Sequence, residues 1–273
     1  MHACEKKVIK KDGISIHIFV SPIDGEMVNS IIVESKNSLV IIDVPLLRPY
    51  SLEFRNYAEQ IGKPIDRVIV THAHPDHWAS LEHYKDIPIY STLETKKEIK
   101  ELGDWMLGYH RQIHGSLISD EKVVPEHIID DGSFTIDGVT YTAMKVFDTE
   151  YKSMLVLDIP KIKTLIAQDM IYNKVYLFLG EKTSSGELCC DNWIKEIEKY
   201  KLNNYETIIP GHGEPTDASL LDENIKYLKA AKEIIISSKS GEEFKTKIME
   251  EYPEYRVPFL LDMTAYLLYE ANG

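Results

Sequence analysis

The 273-residue chain predicts an α/β protein built as a four-layer αββα sandwich with a helical tail. Three observations point there. Short strand-like runs, separated by turn residues, fall into two sets, one in each half of the chain. Segments with helical periodicity flank both sets, which is the pattern of sheets covered by helices. A tight group of imidazoles and a carboxylate stands where one apolar run ends, placing a site along one edge, between sheets.

The first set opens with residues 14–20, 28–33 and 38–43, alternating or continuous apolar runs divided by Gly, Asp, Lys and Asn as in a meander. Lys6, Lys7, Lys10 and Lys11 precede them and read as a solvated strand edge. Residues 51–61 and 76–85 read as helices, with Val68, Ile69 and Val70 as a buried strand between them. Thr92 to Arg111 is a further helix. The second set of strands covers 127–130, 133–137, 139–147, 153–158 and 163–167, and helices return at 191–201 and 217–237. In the latter, Leu221, Ile225, Leu228 and Ile235 keep helical spacing, and Thr216 is placed to cap it. The tail reads as two helices split at Pro253, with Phe259, Leu260, Met263, Tyr266 and Leu267 as an apolar stripe. The stripe would dock on the protein's own core, or form a dimer contact or a pocket wall. The organisation expected is a domain over 1–240 and a packed helical extension over 241–273.

The formal charge is −13, from 31 Lys and Arg against 44 Asp and Glu, with no basic block. Nucleic-acid binding depends on cations that neutralise phosphates, so this balance argues against it. No apolar stretch is long enough to span a bilayer, and Met1 to Lys7 lacks the hydrophobic core of a signal peptide. The cysteines, Cys4, Cys189 and Cys190, make no disulfide framework. The adjacent pair reads as small side chains at a helix start. A reducing, cytoplasmic setting is expected.

The chemistry concentrates in His72, His74, Asp76 and His77, directly behind the apolar run Arg67 to Thr71. Alternation sends His72 and His74 to one side of the departing chain, and a helix starting near Asp76 would bring Asp76 and His77 round to the same cavity. Imidazole with carboxylate is a ligand set for zinc, iron or manganese. Two later runs end in similar donors: Asp169 after Leu165 to Gln168, and His212 between glycines after Thr207 to Ile209.

This order, H-x-H-x-D-H, then an Asp after a strand, then a final Gly-His, resembles the metallo-β-lactamase-fold hydrolases from about residue 14 to 216. The chain departs from that pattern once. Where relatives carry a His before a strand, it reads Asp148, Thr149, Glu150 and Tyr151. Glu150 is taken as the replacement ligand, as in alkylsulfatase-like branches, with Asp148 as the alternative. The resemblance then implies that His72, His74 and Glu150 hold one metal and Asp76, His77 and His212 a second. Asp169 would bridge them, and a metal-bridging hydroxide would act as nucleophile on an ester, thioester, lactone or amide-type small molecule. Asp76 would orient the attacking group and take its proton, and Tyr172, three residues after Asp169, could donate to a developing oxyanion. With three carboxylates and one hydroxide, two divalent cations are fully neutralised. Such a shell favours iron or manganese over zinc more than a His-bearing one does.

Other residues carry lesser expectations. Asp43, at a strand end, is placed to hold a ligand imidazole by its other nitrogen. Trp78 should pack beneath the helix expected at 76–85, and His17, His83 and His127 read as ordinary surface or core histidines. The resemblance makes residues 92–119 a lid over the cleft. His110 and His114 are four apart on it, but without a carboxylate nearby in sequence they read as pocket-lining or surface. Lys145 and Lys152 could serve an anionic thioester substrate or simply be exposed. The same fold also hosts non-haem iron oxidoreductases and metal-binding proteins without catalysis. The partner expected is a small-molecule substrate, with a homodimer as a further option and neither nucleic acid nor membrane.

Overall fold

The computed structural model describes residues 4–271; Met1 to Ala3, part of the segment read for a signal peptide, and the last two residues of the tail lie outside them. The described strands form two sheets, of seven and five strands. Together with the helices they make the mixed α/β fold expected from the sequence. The chain divides into two compact units, residues 1–145 with 154–162, and residues 146–153 with 163–273.

The first unit holds the seven-stranded sheet, in the order β1 (Glu5–Lys11), β2 (Ile14–Val20), β3 (Asn29–Glu34), β4 (Leu39–Ile42), β5 (Ile65–Val70), β6 (Ile89–Ser91) and β7 (His127–Ile128). β1 to β4 run antiparallel as a meander, whereas β4, β5, β6 and β7 are parallel neighbours. The change of direction follows from the connections: β1 to β4 are joined by turns, and β4 and β5 by helix α1 (Arg48–Gln60). Its Tyr50, Phe54 and Ala58 are buried, and Phe54 meets Phe19 of β2 with ring centroids 5.1 Å apart. β1 is the edge expected of the lysine run, with Lys6 paired to Glu53 at 3.0 Å. Helix α2 (Leu93–His114) is capped by Thr92, whose hydroxyl accepts from the Thr95 amide at 3.1 Å. The unit also contains β8 (Gly132–Ile136), paired antiparallel with β9 (Val139–Phe147), and most of β10 (Ser153–Ile159).

The second unit holds β11 (Thr164–Tyr172) and β12 (Thr207–His212), which run parallel, with α3 (Cys190–Tyr200) between them in sequence. Trp193 and Ile197 of α3 are fully buried, and the Trp193 indole donates to the Met170 carbonyl at 2.8 Å. α4 (Ser219–Ser237) packs on α3, and the tail supplies α5 (Gly241–Glu251) and α6 (Phe259–Ala265), with the break at Pro253 where expected. The tail helices are held by particular contacts. Thr264 Oγ1 accepts from the Leu179 amide at 3.0 Å, and Gly241 lies against Ala265.

Two expectations are corrected. Residues 76–85 form no α-helix but two short 3₁₀ turns, Pro75–His77 and Leu81–Tyr84. The His77 carbonyl is taken by the Val44 amide at 3.1 Å and the Leu46 carbonyl by the Ser80 hydroxyl at 2.9 Å, so tertiary bonds replace helical ones. Thr216 does not cap α4; it exchanges backbone bonds with Ile208, and Asp217 accepts from the Ser219 amide at 2.8 Å instead.

Candidate metal centre

In the first unit, β5 delivers Thr71 and the donor turn. Buried Asp43, at the end of β4 in a left-handed conformation (φ 55°), organises it. Its Oδ1 accepts from the Thr71 amide at 2.8 Å. Its Oδ2 accepts from the Thr71 hydroxyl at 2.7 Å and from His77 Nδ1 at 2.8 Å. Because the Thr71 hydroxyl spends its proton on Asp43, it accepts from His72 Nδ1, 3.2 Å away. Both imidazoles therefore carry their proton on Nδ1 and present the Nε2 lone pair, the form in which His binds a cation. Asp43 thus holds the His77 imidazole by its Nδ1.

His72, His74 and His77 are ring neighbours, with centroids 5.0 Å apart for His72 and His74 and 4.2 Å for His72 and His77. Asp76 Oδ2 lies 3.4 Å from His77 Nε2. His72 and His77 are wholly buried, Asp76 nearly so and His74 half-buried. Trp78 sits beneath the turn, fully buried, its indole donating to the Ala73 carbonyl at 2.8 Å, and α2 crosses its ring at Gly103. Burial drives the His110 imidazole down to about 4, opposed by Asp76, so the ring is neutral near pH 7.

In the second unit the donors are Glu150, Asp169 and His212, each about 1% exposed. Tyr172 links them. Its hydroxyl lies 3.1 Å from Asp169 Oδ2 and 3.4 Å from Glu150 Oε1, and its ring stacks on His212 at 4.6 Å. His212 Nε2 lies 3.2 Å from Asp169 Oδ2. β11 is irregular here, shifting register on either side of Gln168, whose φ is 45°, and this aims Asp169. Gly211 is required because a Cβ at that position would collide with the Asp169 carboxylate. Asn224 of α4 locks the Tyr172 backbone, accepting from its amide at 3.0 Å and donating to its carbonyl at 2.9 Å.

Glu150 and Asp148 are placed differently within this unit. Asp148 is half-buried, and its carboxylate takes the Ser184 amide and hydroxyl at 3.1 and 2.9 Å. Glu150 points inward, to Tyr172. Of the lesser candidates, His17 is bound by Tyr57 and Glu34, and His127 stacks on Tyr90. Lys145 is engaged by Asp130 and Glu94, at 3.3 and 3.7 Å. The three cysteines are buried thiols, with burial pushing Cys4 and Cys189 up to about 12 and Cys190 to about 11. Among the described residues no helix is long and apolar enough to cross a membrane.

Imidazoles held through Nδ1, with buried carboxylates that each lie near another donor, are chemically suited to divalent transition metals. The two-sheet α/β frame and these donors define a metal-binding protein of hydrolase-like architecture. The chain belongs to the metallo-beta-lactamase superfamily, whose family model matches residues 23–212. Solved structures are similar in fold. The TMB-1 structure shares 21% identity at a TM-score of 0.60, covering 85% of this chain and 100% of its own. A metallo-beta-lactamase from Pontibacter korlensis shares 19% at 0.61, covering 82% and 99%. FIM-1 from Pseudomonas aeruginosa, in its mono-zinc form, shares 14% at 0.59, covering 84% and 96%.

Proposed function

We propose that this protein is a metal-dependent hydrolase acting on an ester, thioester, lactone or amide bond of a small molecule, with His72, His74, Glu150 and Asp169 holding one divalent metal and Asp76, His77, Asp169 and His212 a second. The observation that carries the reading is the pair of imidazoles, His72 and His77, set in their ligand form by Thr71 and Asp43. Superfamily membership adds the reaction class. Bound metals would supply Lewis acidity and a more acidic water. The protein's own groups do the rest. Asp76, a carboxylate at the start of a turn, takes up the proton released when water attacks. The Tyr172 hydroxyl, near Asp169 and Glu150, can turn to donate to the oxygen on which negative charge develops. The net charge of −13 favours a small substrate over nucleic acid.

The test combines elemental analysis with a panel of chromogenic esters, thioesters and lactones. Two metals per chain are expected, and Asp76→Ala should lower turnover about 100-fold or more. Glu150 in place of an imidazole should make manganese or iron at least as effective as zinc; strict zinc dependence would count against that assignment. Oxygen uptake with thiol substrates, in place of hydrolysis, would identify the iron oxidoreductase chemistry that this fold also hosts.

A further inference from the structure

Helix α2 carries His110 and His114 one turn apart, with rings nearly parallel (8°) and centroids 6.3 Å apart. The fold supplies the carboxylate that sequence proximity does not. Glu26, 84 positions before His110, brings an oxygen to them, and one donor atom from each of the three residues lies within 4.8 Å of the others. We propose that Glu26, His110 and His114 form a separate mononuclear site for a divalent transition metal, zinc or ferrous iron, that ties the β2–β3 turn to α2.

Several independent features support it. Glu26 and His110 are each only 6% exposed, an unusual depth for a carboxylate and an imidazole. His110 Nδ1 is buried without a hydrogen-bond partner among the described residues, and a cation would satisfy its lone pair. Glu26 and Met27 both have left-handed backbones, φ 63° and 56°, which close a tight turn by bonds from the Glu26 amide to the Ile23 carbonyl (3.0 Å) and from the Met27 amide to the Pro22 carbonyl (3.1 Å). This turn fixes where the Glu26 carboxylate leaves the chain. His114 is half-buried, giving an ion and its waters a way in.

Two imidazoles and one carboxylate are the donor set of open zinc and ferrous sites, with the remaining positions left to water or a small ligand. Donors about 2.1 Å from one ion stand about 3–4 Å apart, so closing on a cation needs only a small inward shift. The triad shares no residue with the candidate centre described above and lies wholly within the first unit.

The test uses the full chain, stripped with a chelator, reloaded with zinc chloride and crystallised, with anomalous difference density collected at the zinc edge. The expected result is a peak about 2.0–2.2 Å from all three side chains. His114→Gln and Glu26→Gln should each lower zinc content by one ion per chain while density at His72, His77 and His212 persists. Two outcomes would overturn the proposal: no peak at the triad in millimolar zinc, or a peak on His114 alone, which is an adventitious ion only. If one variant fails to fold, the other variant and the wild-type map decide. The two metal assignments are read at different positions of the same map, so failure of one is distinguishable from failure of the other.

Discussion

Asp43→Asn is the sharpest perturbation available, because it changes almost no volume and replaces no proposed ligand. Asp43 receives three donors: the Thr71 amide on Oδ1, and the Thr71 hydroxyl and His77 Nδ1 on Oδ2, all at 2.7–2.8 Å. An amide offers one acceptor oxygen and one NH2 group. With the oxygen toward the Thr71 amide, the NH2 faces two donors. The Thr71 hydroxyl can rotate to accept, but His77 Nδ1–H cannot, and the imidazole must then move its proton to Nε2, the nitrogen meant for the metal. The opposite orientation sets the NH2 against the backbone N–H. Losing one hydrogen bond to a charged acceptor in a fully buried site costs about 1.5–3 kcal/mol. At about 1.4 kcal/mol per tenfold, that is about 10–100-fold in metal affinity. Competition with a chromophoric chelator measures this, and thermal unfolding of metal-free protein separates lost folding stability from lost affinity. Metal affinity within twofold of wild type, in a variant that is folded when metal-free, would refute the assignment of His77 as an oriented ligand.

Other substitutions probe the second unit and the pH response. Gly211→Ala would place a methyl group on the Asp169 carboxylate and should cost about 1–3 kcal/mol of stability together with metal binding, read by calorimetry and elemental analysis. Asn224→Ala removes the side-chain partner of both the Tyr172 amide and carbonyl, and should lower stability by about 2–6 kcal/mol in urea unfolding, from two buried backbone groups at about 1–3 kcal/mol each. Glu34 is held down to about 2, where hydrogen bonds from Lys63 and His17 outweigh the opposing effect of burial. A carboxyl whose folded value lies below its usual 4.5 adds stability that is fully present above pH 4.5 and lost as the pH falls towards 2. Glu34→Gln should flatten the urea midpoint over that range, and an unchanged acid limb would remove Glu34 from the account.

The strands were legible because their cues are local: the apolar meander of β2 to β4, the run ending at Val70 and the long β9 announce themselves by composition and turn residues. β11 extends past the expected 167 to Tyr172 because its last residues are buried beside β12, a long-range pairing that no local pattern carries. The supposed helix at 76–85 failed for the complementary reason. Its polar, Ser- and His-containing sequence is compatible with a helix, but the His77 carbonyl and the Ser80 hydroxyl are claimed by the segment at 44–46, and those bonds outcompete helical ones. At the site, His72 to His77 could be read because four donors share one turn. Glu150 required the absence of a His at the matching position. The role of Asn224 had no sequence signal at all, since one Asn in a helix carries no sign that it grips a strand end.

Positive-φ residues other than glycine explain why part of the chemistry stays hidden from sequence. Asp43 (55°), Gln168 (45°) and Glu26 (63°) each occupy the left-handed region, where a side chain costs of order 1 kcal/mol or more and glycine would be the unstrained choice. Each stands where a donor is being aimed: Asp43 toward His77, Gln168 immediately before Asp169, and Glu26 toward the His110–His114 pair. A glycine would relieve the backbone, but at positions 43 and 26 it would delete the acting carboxylate, and at 168 it would let the chain before Asp169 relax. Strain is tolerated where a fixed direction is worth more than a comfortable backbone. Since these positions carry ordinary polar residues, no glycine marks the turn.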